Sequence, residues 1–229
     1  MSDYGLMQIK YDDIWNHSKP AIESNNVTFD ANLLDISKDK RLGLTLLIPI
    51  EGGCLEKVAK LGAQLSKAEP DQYYYPLSDL HITVLDFIGA SKDFVFNEKQ
   101  VDAYKKVLCD VLRGFPRFVV KFDGLVASDA AIIVQGFSDV INQLRERLRN
   151  EMDARGVTFE ERYKATTSHM TIARFKNELR DSKSLIGKIE SMRHLDLCSM
   201  EVYRLVFVLH DWYNRMEKTK ILVEYELTR

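Results

Sequence analysis

The chain has 229 residues, 45% of them hydrophobic and 29% charged, with a net charge of −2 at pH 7, the balance of an ordinary soluble globular protein long enough to bury a real core. That balance excludes a globally basic nucleic-acid coat, so any polyanion has to be gripped locally. No apolar run is long enough to span a membrane and the polar first forty residues lack a signal-peptide core, so the chain reads as cytoplasmic.

Three widely separated cysteines, Cys54, Cys109 and Cys198, suit a reducing compartment better than a disulfide scaffold. Taken in order, residues 1–40 form an extension. Leu42 to Ile50 is a buried-strand candidate, followed by Leu55, Val58, Ala59, Gly62 and Leu65 at helical spacing. A polar, tyrosine-containing loop leads into the strand Leu80-His81-Ile82-Thr83-Val84. A helix opens at Asn97, buries Val101, Tyr104, Val107, Leu108 and Val111 and stops at Gly114, before a strand over Arg117 to Asp123.

The same order returns 88 positions later, the distance from His81 to His169. Ala130 to Ser138 is a strand, and Ser138 caps a helix carrying Val140, Ile141, Leu144, Leu148 and Met152 that stops at Gly156. Ser168-His169-Met170-Thr171-Ile172 is the second histidine strand. A helix from about Asp181 uses Leu185, Ile186, Ile189 and Met192, and strands over Val202 to Leu209 and Lys220 to Leu227 complete the chain.

A β-α-β-α-β order met twice predicts an α/β (α+β) fold, with mixed or antiparallel sheets covered by helices. The expected arrangement is bilobal: two pseudo-two-fold units face each other across a central cleft, within one domain over 41–229. Lobe 1 spans about 41–125 and lobe 2 about 126–229. An accidental offset within an ordinary α/β sheet is the alternative.

Side chains alternate along a strand, so His81 and Thr83 share one face, as do His169 and Thr171, with the apolar residues behind them. A lone strand histidine beside a threonine is commonly a core feature; two copies at equivalent places in a repeat point to chemistry. Two imidazoles on opposite sides of one substrate can divide the base and acid roles. Phosphodiester cleavage beside a ribose hydroxyl needs that division, and the two threonine hydroxyls can donate to phosphoryl oxygens as charge builds. No metal or other cofactor is demanded, and neither a carboxylate cluster nor an HExxH spacing offers one a site.

With its paired His-apolar-Thr-apolar motifs and the run His169-Met170-Thr171-Ile172-Ala173-Arg174-Phe175, the chain over 41–229 resembles the two-histidine (2H) phosphoesterase superfamily. That superfamily includes 2′-5′ RNA ligase-like proteins and cyclic nucleotide phosphodiesterases. The resemblance implies a bilobal α/β fold, metal-independent catalysis, and His81, Thr83, His169 and Thr171 as catalytic positions. One departure is Asp86, where a basic residue often follows the motif; strict alternation turns it away from His81.

Candidate substrate contacts are Tyr163, Lys164 and Arg162 before the second motif and Tyr75, with Tyr73 and Tyr74, before the first. By alternation Phe87 and Phe175 share their histidines' faces, either stacking a base or packing in the core; Arg174 points to the far face. His17, His194 and His210 read as incidental. The leading function is a metal-independent phosphodiesterase opening 2′,3′-cyclic phosphates or cutting 2′-5′ or 3′-5′ linkages. Its partner would be RNA, an oligonucleotide or a cyclic nucleotide, bound by a monomer. A non-catalytic nucleotide- or RNA-binding module is the alternative, and a zinc hydrolase with both histidines as ligands is a weaker third.

Overall fold

A computed structural model describes residues 3–161 and 163–229. Among them the chain forms five α-helices and nine strands joined in one sheet. The first repeat unit supplies β1 (Leu42–Pro49), α2 (Gly53–Ala68), the short β2 (Tyr73–Tyr74), β3 (His81–Ser91), α3 (Glu98–Leu112) and β4 (Phe118–Ala127). The second supplies β5 (Ala131–Phe137), α4 (Asp139–Ala154), β6 (Met170–Arg174), α5 (Ser182–Ser191), β7 (Asp196–Val202), β8 (Arg204–Asp211) and β9 (Lys220–Glu226). The α/β class expected from the sequence is the class observed.

Sheet order is β7-β4-β5-β6-β3-β1-β8-β9, every neighbouring pair antiparallel. The order reads symmetrically about the boundary between β6 and β3, the two histidine strands. It does so because the closing strands are exchanged: β4 of the first unit lies beside β5, and β8 of the second beside β1. Each helix buries one face on the sheet. In α4 this face is Ile141, Leu144, Leu148 and Met152, each burial contributing roughly 1.5–3 kcal/mol. Asn97 and Asp181 cap α3 and α5 by accepting from Gln100 N and Ser184 N. One close approach requires glycine: a Cβ on Gly136 of β5 would lie 1.9 Å from the carbonyl oxygen of Ser168, the residue before His169.

Residues ahead of β1 fold onto this sheet. Helix α1 (Asp3–Glu23) buries Met7, Tyr11, Trp15 and Ile22, residues four or seven apart and hence on one face. Tyr11 Oη donates to Gly136 O at 2.9 Å and accepts from Gly136 N at 3.1 Å. Ion pairs from Arg193 to Asp12 and from Lys19 to Glu190 pin the same helix near α5. A 3-10 helix over Ala31–Lys38 follows, capped by Asp30.

The reading of three separate cysteines is corrected: Cys54 of α2 and Cys198 of β7, 144 positions apart, are joined in a disulfide, and Cys109 is free and exposed. Position in the fold brings them together, which spacing along the chain does not reveal. Among the described residues no helix is long and apolar enough to cross a membrane.

Candidate active site

The two histidine strands separate almost as soon as they meet. Among the described residues β3 and β6 pair at one position, Ile82 with Met170. Beyond it the edge of β6 passes to β2, where Tyr73 and Tyr74 face Arg174 and Ala173. The opening between the strands is a cavity of about 150 Å³. His81 and Thr83 line it from β3, and His169 and Thr171 from the second motif, together with Asp86, Arg174 and His210.

Strict alternation fails in both strands, and for the same reason. Thr83 and Leu85 face the consecutive residues Leu47 and Leu46, leaving Val84 as an extra residue; Thr171 and Ala173 face Ile133 and Ile132, leaving Ile172 extra. Each bulge lies three residues past its histidine and reverses the faces beyond it. Asp86 and Arg174 therefore turn into the cavity rather than away from it. Phe87 and Phe175, expected on the histidine faces, are fully buried in the core; Phe87 packs on Tyr104 and Phe207 with ring centroids 4.8 and 5.2 Å away.

The bulges thus set an arginine and a carboxylate at equivalent places of the two motifs. Arg174 Nε donates to Tyr75 Oη at 2.8 Å, and its guanidinium lies 5.5 Å from the Trp212 ring centroid. Asp86 accepts from the Thr45 hydroxyl at 2.7 Å. Thr45 in turn meets His210 Nε2 at 2.8 Å, so with its proton given to Asp86 it accepts from His210. His210, read from sequence as incidental, stands with its ring centroid 6.4 Å from that of His81.

Hydrogen bonding makes the two motif histidines unlike. His81 Nδ1 lies 2.8 Å from the carbonyl oxygen of Asp79, an acceptor only, so the proton sits on Nδ1 and Nε2 of the neutral ring is bare. His169 Nδ1 lies 2.8 Å from the Thr167 hydroxyl, which can donate or accept, so His169 can present either a lone pair or a proton through Nε2.

Each imidazole keeps an edge open to the cavity but is otherwise enclosed by protein. Burial pushes His81 below the usual histidine range, with Arg174 adding to it. Burial, then Arg145, His81 and Arg174, hold His169 down at about 4; burial and His81 hold His210 at about 3. An anion in the cavity offsets the positive neighbours and raises these values. Sulfate binding at pH 5.5, where sulfate itself does not titrate and free His169 is neutral, should therefore take up as much as one proton. Calorimetry in two buffers of different ionisation enthalpy reads it, and zero uptake or release would contradict this electrostatic account.

Behind the cavity stands Arg145 of α4, a fully buried cation that sequence reasoning missed. It donates to three carbonyls, Val84 O at 2.8 Å, Thr83 O at 2.7 Å and Thr167 O at 2.9 Å, and to Asn142 Oδ1 at 2.8 Å. One guanidinium thereby ties the bulge of the first histidine strand to the segment that enters the second. An arginine inside an otherwise apolar helix face, Ile141-Leu144-Arg145-Leu148, is the signal that could have exposed it.

The small cavity opens into a cleft of about 610 Å³ that shares Thr83, Asp86, His169, Arg174 and Trp212 with it. Tyr163 and Lys164 line this cleft as expected; Tyr163 is 74% exposed, and Lys164 pairs with Glu146 at 3.2 Å. Arg162, the third candidate of that loop, lies outside the described residues. Tyr75 lines the small cavity, whereas Tyr73 stacks edge-on against Tyr75 and Tyr74 donates to Glu69 O. No cluster of three or more metal-ligating side chains occurs among the described residues.

No curated protein sequence gives a significant match to the chain. Solved structures share its fold at low identity. TT0787 of Thermus thermophilus is 16% identical with a TM-score of 0.60, covering 81% of this chain and 97% of its own. E. coli LigT complexed with 3′-AMP is 15% identical with a TM-score of 0.54, covering 83% and 99%; LigT is also solved with ATP, NADP+ and phosphate. A conserved protein of unknown function, ATU0111 from Agrobacterium tumefaciens, is 15% identical with a TM-score of 0.56, covering 82% and 87%. The family model described as the 2′-5′ RNA ligase superfamily matches residues 56–213, a stretch that holds both histidine motifs and Arg145, and the chain belongs to that superfamily of two-histidine phosphoesterases.

Proposed function

We propose that this phosphoesterase-family chain is a metal-independent phosphodiesterase acting on RNA-type phosphates, either 2′,3′-cyclic phosphates or 2′-5′ and 3′-5′ linkages. The observation that carries the reading is the convergence of His81, Thr83, His169, Thr171 and Arg174 on one small cavity. The nucleotides bound by LigT support the substrate class. A phosphoryl group seated there is within reach of the Arg174 guanidinium, which favours negative oxygens, and of two hydroxyl donors.

In the opening of a cyclic phosphate, His81 Nε2, bare in its neutral form, takes a proton from water as the water oxygen bonds to phosphorus. The ring P–O bond breaks, and the leaving ribose oxygen takes the proton from Nε2 of protonated His169. Thr83 and Thr171 donate to the non-bridging oxygens as their charge rises. The protonated state of His169 is the one that the substrate's own charge stabilises. For a linkage beside a free hydroxyl, that hydroxyl stands in the place of water and the same two proton transfers apply.

The test is a substrate panel of 2′,3′-cyclic AMP, 2′-5′ oligoadenylate and a short RNA with a cyclic end, each with and without EDTA. Turnover of at least one member, unchanged by EDTA, is expected. Binding without product from any of them would make the cleft a nucleotide-binding module, and loss of turnover in EDTA would overturn the metal-independent mechanism.

A further inference from the structure

The cavity holding the two motif histidines, about 150 Å³, suits a phosphoryl group and the atoms next to it. The cleft into which it opens, about 610 Å³, falls in the range that encloses a whole organic ligand. One wall of that cleft is α1, which contributes Lys10, Asp13 and Ile14. Lys10 and Asp13 lie off the face that buries Met7, Tyr11 and Trp15. Ile14, seven residues from Met7, stands at the edge of that face, partly buried against the core and lining the cleft with its remaining surface. The buried face and the Tyr11 bonds to Gly136 hold the helix against the sheet, so the wall is fixed rather than a loose tail. About a fifth of this chain has no counterpart in TT0787 or LigT, although nearly all of each of those chains is covered. The family model begins only at residue 56, well after α1.

The chemistry along the cleft is that of a chain anion. Four cations, Lys10, Arg145, Lys164 and Arg174, line it against two carboxylates, Asp13 and Asp86, a local excess of positive charge in a chain whose net charge is −2. Arg174 and Arg145 belong to the end with the histidines; Lys10 comes from α1 and Lys164 from the loop that also carries exposed Tyr163. An apolar side chain, Ile14, and an aromatic one, Tyr163, sit among the polar groups, the combination that takes a base without reading its edge.

Resting on the phosphodiesterase reading above, we propose that α1 completes a second nucleotide subsite, which makes an oligonucleotide of two or more units the preferred substrate over a mononucleotide. The nucleotide beyond the reacting phosphate places its base between Ile14 and Tyr163. Its own phosphate is held by Lys10 and Lys164. The reacting phosphate stays with Arg174 and the two histidines.

The test uses ligands that lack the 2′-hydroxyl and so cannot be cut by internal attack: d(ApA) bearing a 3′-phosphate, and deoxyadenosine 3′-monophosphate. Their affinities for the full chain, for Lys10→Ala and for Lys10→Glu are measured over a range of salt concentrations. The wild type should prefer the dinucleotide at least tenfold. Lys10→Ala should lower that preference at least fivefold and Lys10→Glu should abolish it. The slope of log affinity against log salt for the dinucleotide should fall by about 0.7 in Lys10→Ala, the loss of one phosphate contact. Equal affinities for both ligands, or a preference that survives Lys10→Glu, would overturn the subsite. A chain that keeps a Lys10-dependent preference yet turns over no RNA phosphodiester sustains the subsite and overturns only the catalytic reading.

Discussion

Replacing either His81 or His169 by alanine should lower kcat/KM for the responsive substrate by about 10³-fold, the scale of one lost general acid or base. The double variant should lose little more, because the two imidazoles serve one proton-transfer cycle and their effects do not add. Stability near neutral pH should hardly change. The Asp79 carbonyl that loses His81 still accepts from Asn214 Nδ2 at 3.2 Å, and the Thr167 hydroxyl that loses His169 lies at the cleft wall. Acid sensitivity should change in a definite direction. His169 is held at about 4 in the folded chain against 6.5 for the free side chain, so above 6.5 both states are neutral and it contributes nothing. As pH falls from 6.5 towards 4 the unfolded chain takes up the proton first and folding is weakened. His169→Ala removes that penalty, so its Tm should fall less steeply with acid than that of the wild type. Wild-type turnover in both single variants would remove the basis for a two-histidine mechanism.

The parts of this molecule that could be read from sequence were those governed by local periodicity. The 88-residue offset, the paired motifs, the helix starts at Asn97 and near Asp181 and the apolar faces of α3 to α5 all rest on spacing within a helix or strand. Ser138, read as a cap, instead starts α4 without a side-chain hydrogen bond to it, and α2 buries Cys54 and Leu61 in place of Ala59 and Gly62. The errors within the two histidine strands share one source. A single extra residue in each strand, Val84 and Ile172, exchanged Asp86 with Phe87 and Arg174 with Phe175 between cavity and core. A bulge carries no clear mark in the sequence, because Val and Ile are good strand residues whether paired or not. The run Val84-Leu85 and the run Ile172-Ala173, two apolar residues together where alternation asks for one, were the available hints. The exchange of β4 and β8, the approach of His210 to His81 and the joining of Cys54 to Cys198 depend on contacts that no local spacing encodes. Helix α1 went unseen for a different reason: its apolar residues lie among Asp12, Asp13, Lys10 and Lys19, which blur its amphipathic pattern.

Arg145→Met should be the most damaging substitution away from the motif residues themselves. The guanidinium satisfies three carbonyls, those of Thr83, Val84 and Thr167, and each buried acceptor left unpaired costs about 1–3 kcal/mol. Burial already disfavours the charge, holding the arginine down at about 10, so removing it returns part of that loss. A net destabilisation of about 3 kcal/mol follows from the two opposed effects, read as a Tm lowered by roughly 10 °C. Activity should fall further than stability, about 10²-fold at a temperature where the variant remains folded, since a shift of about 1 Å between reacting groups has that cost. Arg145→Lys separates the geometric role from the electrostatic one. An ammonium keeps the positive charge beside His169 but cannot span carbonyls contributed by two different segments. A lysine variant that keeps the wild-type pH profile but has a lowered kcat would locate the effect in strand placement. One that restores kcat as well would show that charge alone suffices. Wild-type Tm and turnover in Arg145→Met would mean that the two histidine strands hold their places without it, and that the guanidinium between them only fills space.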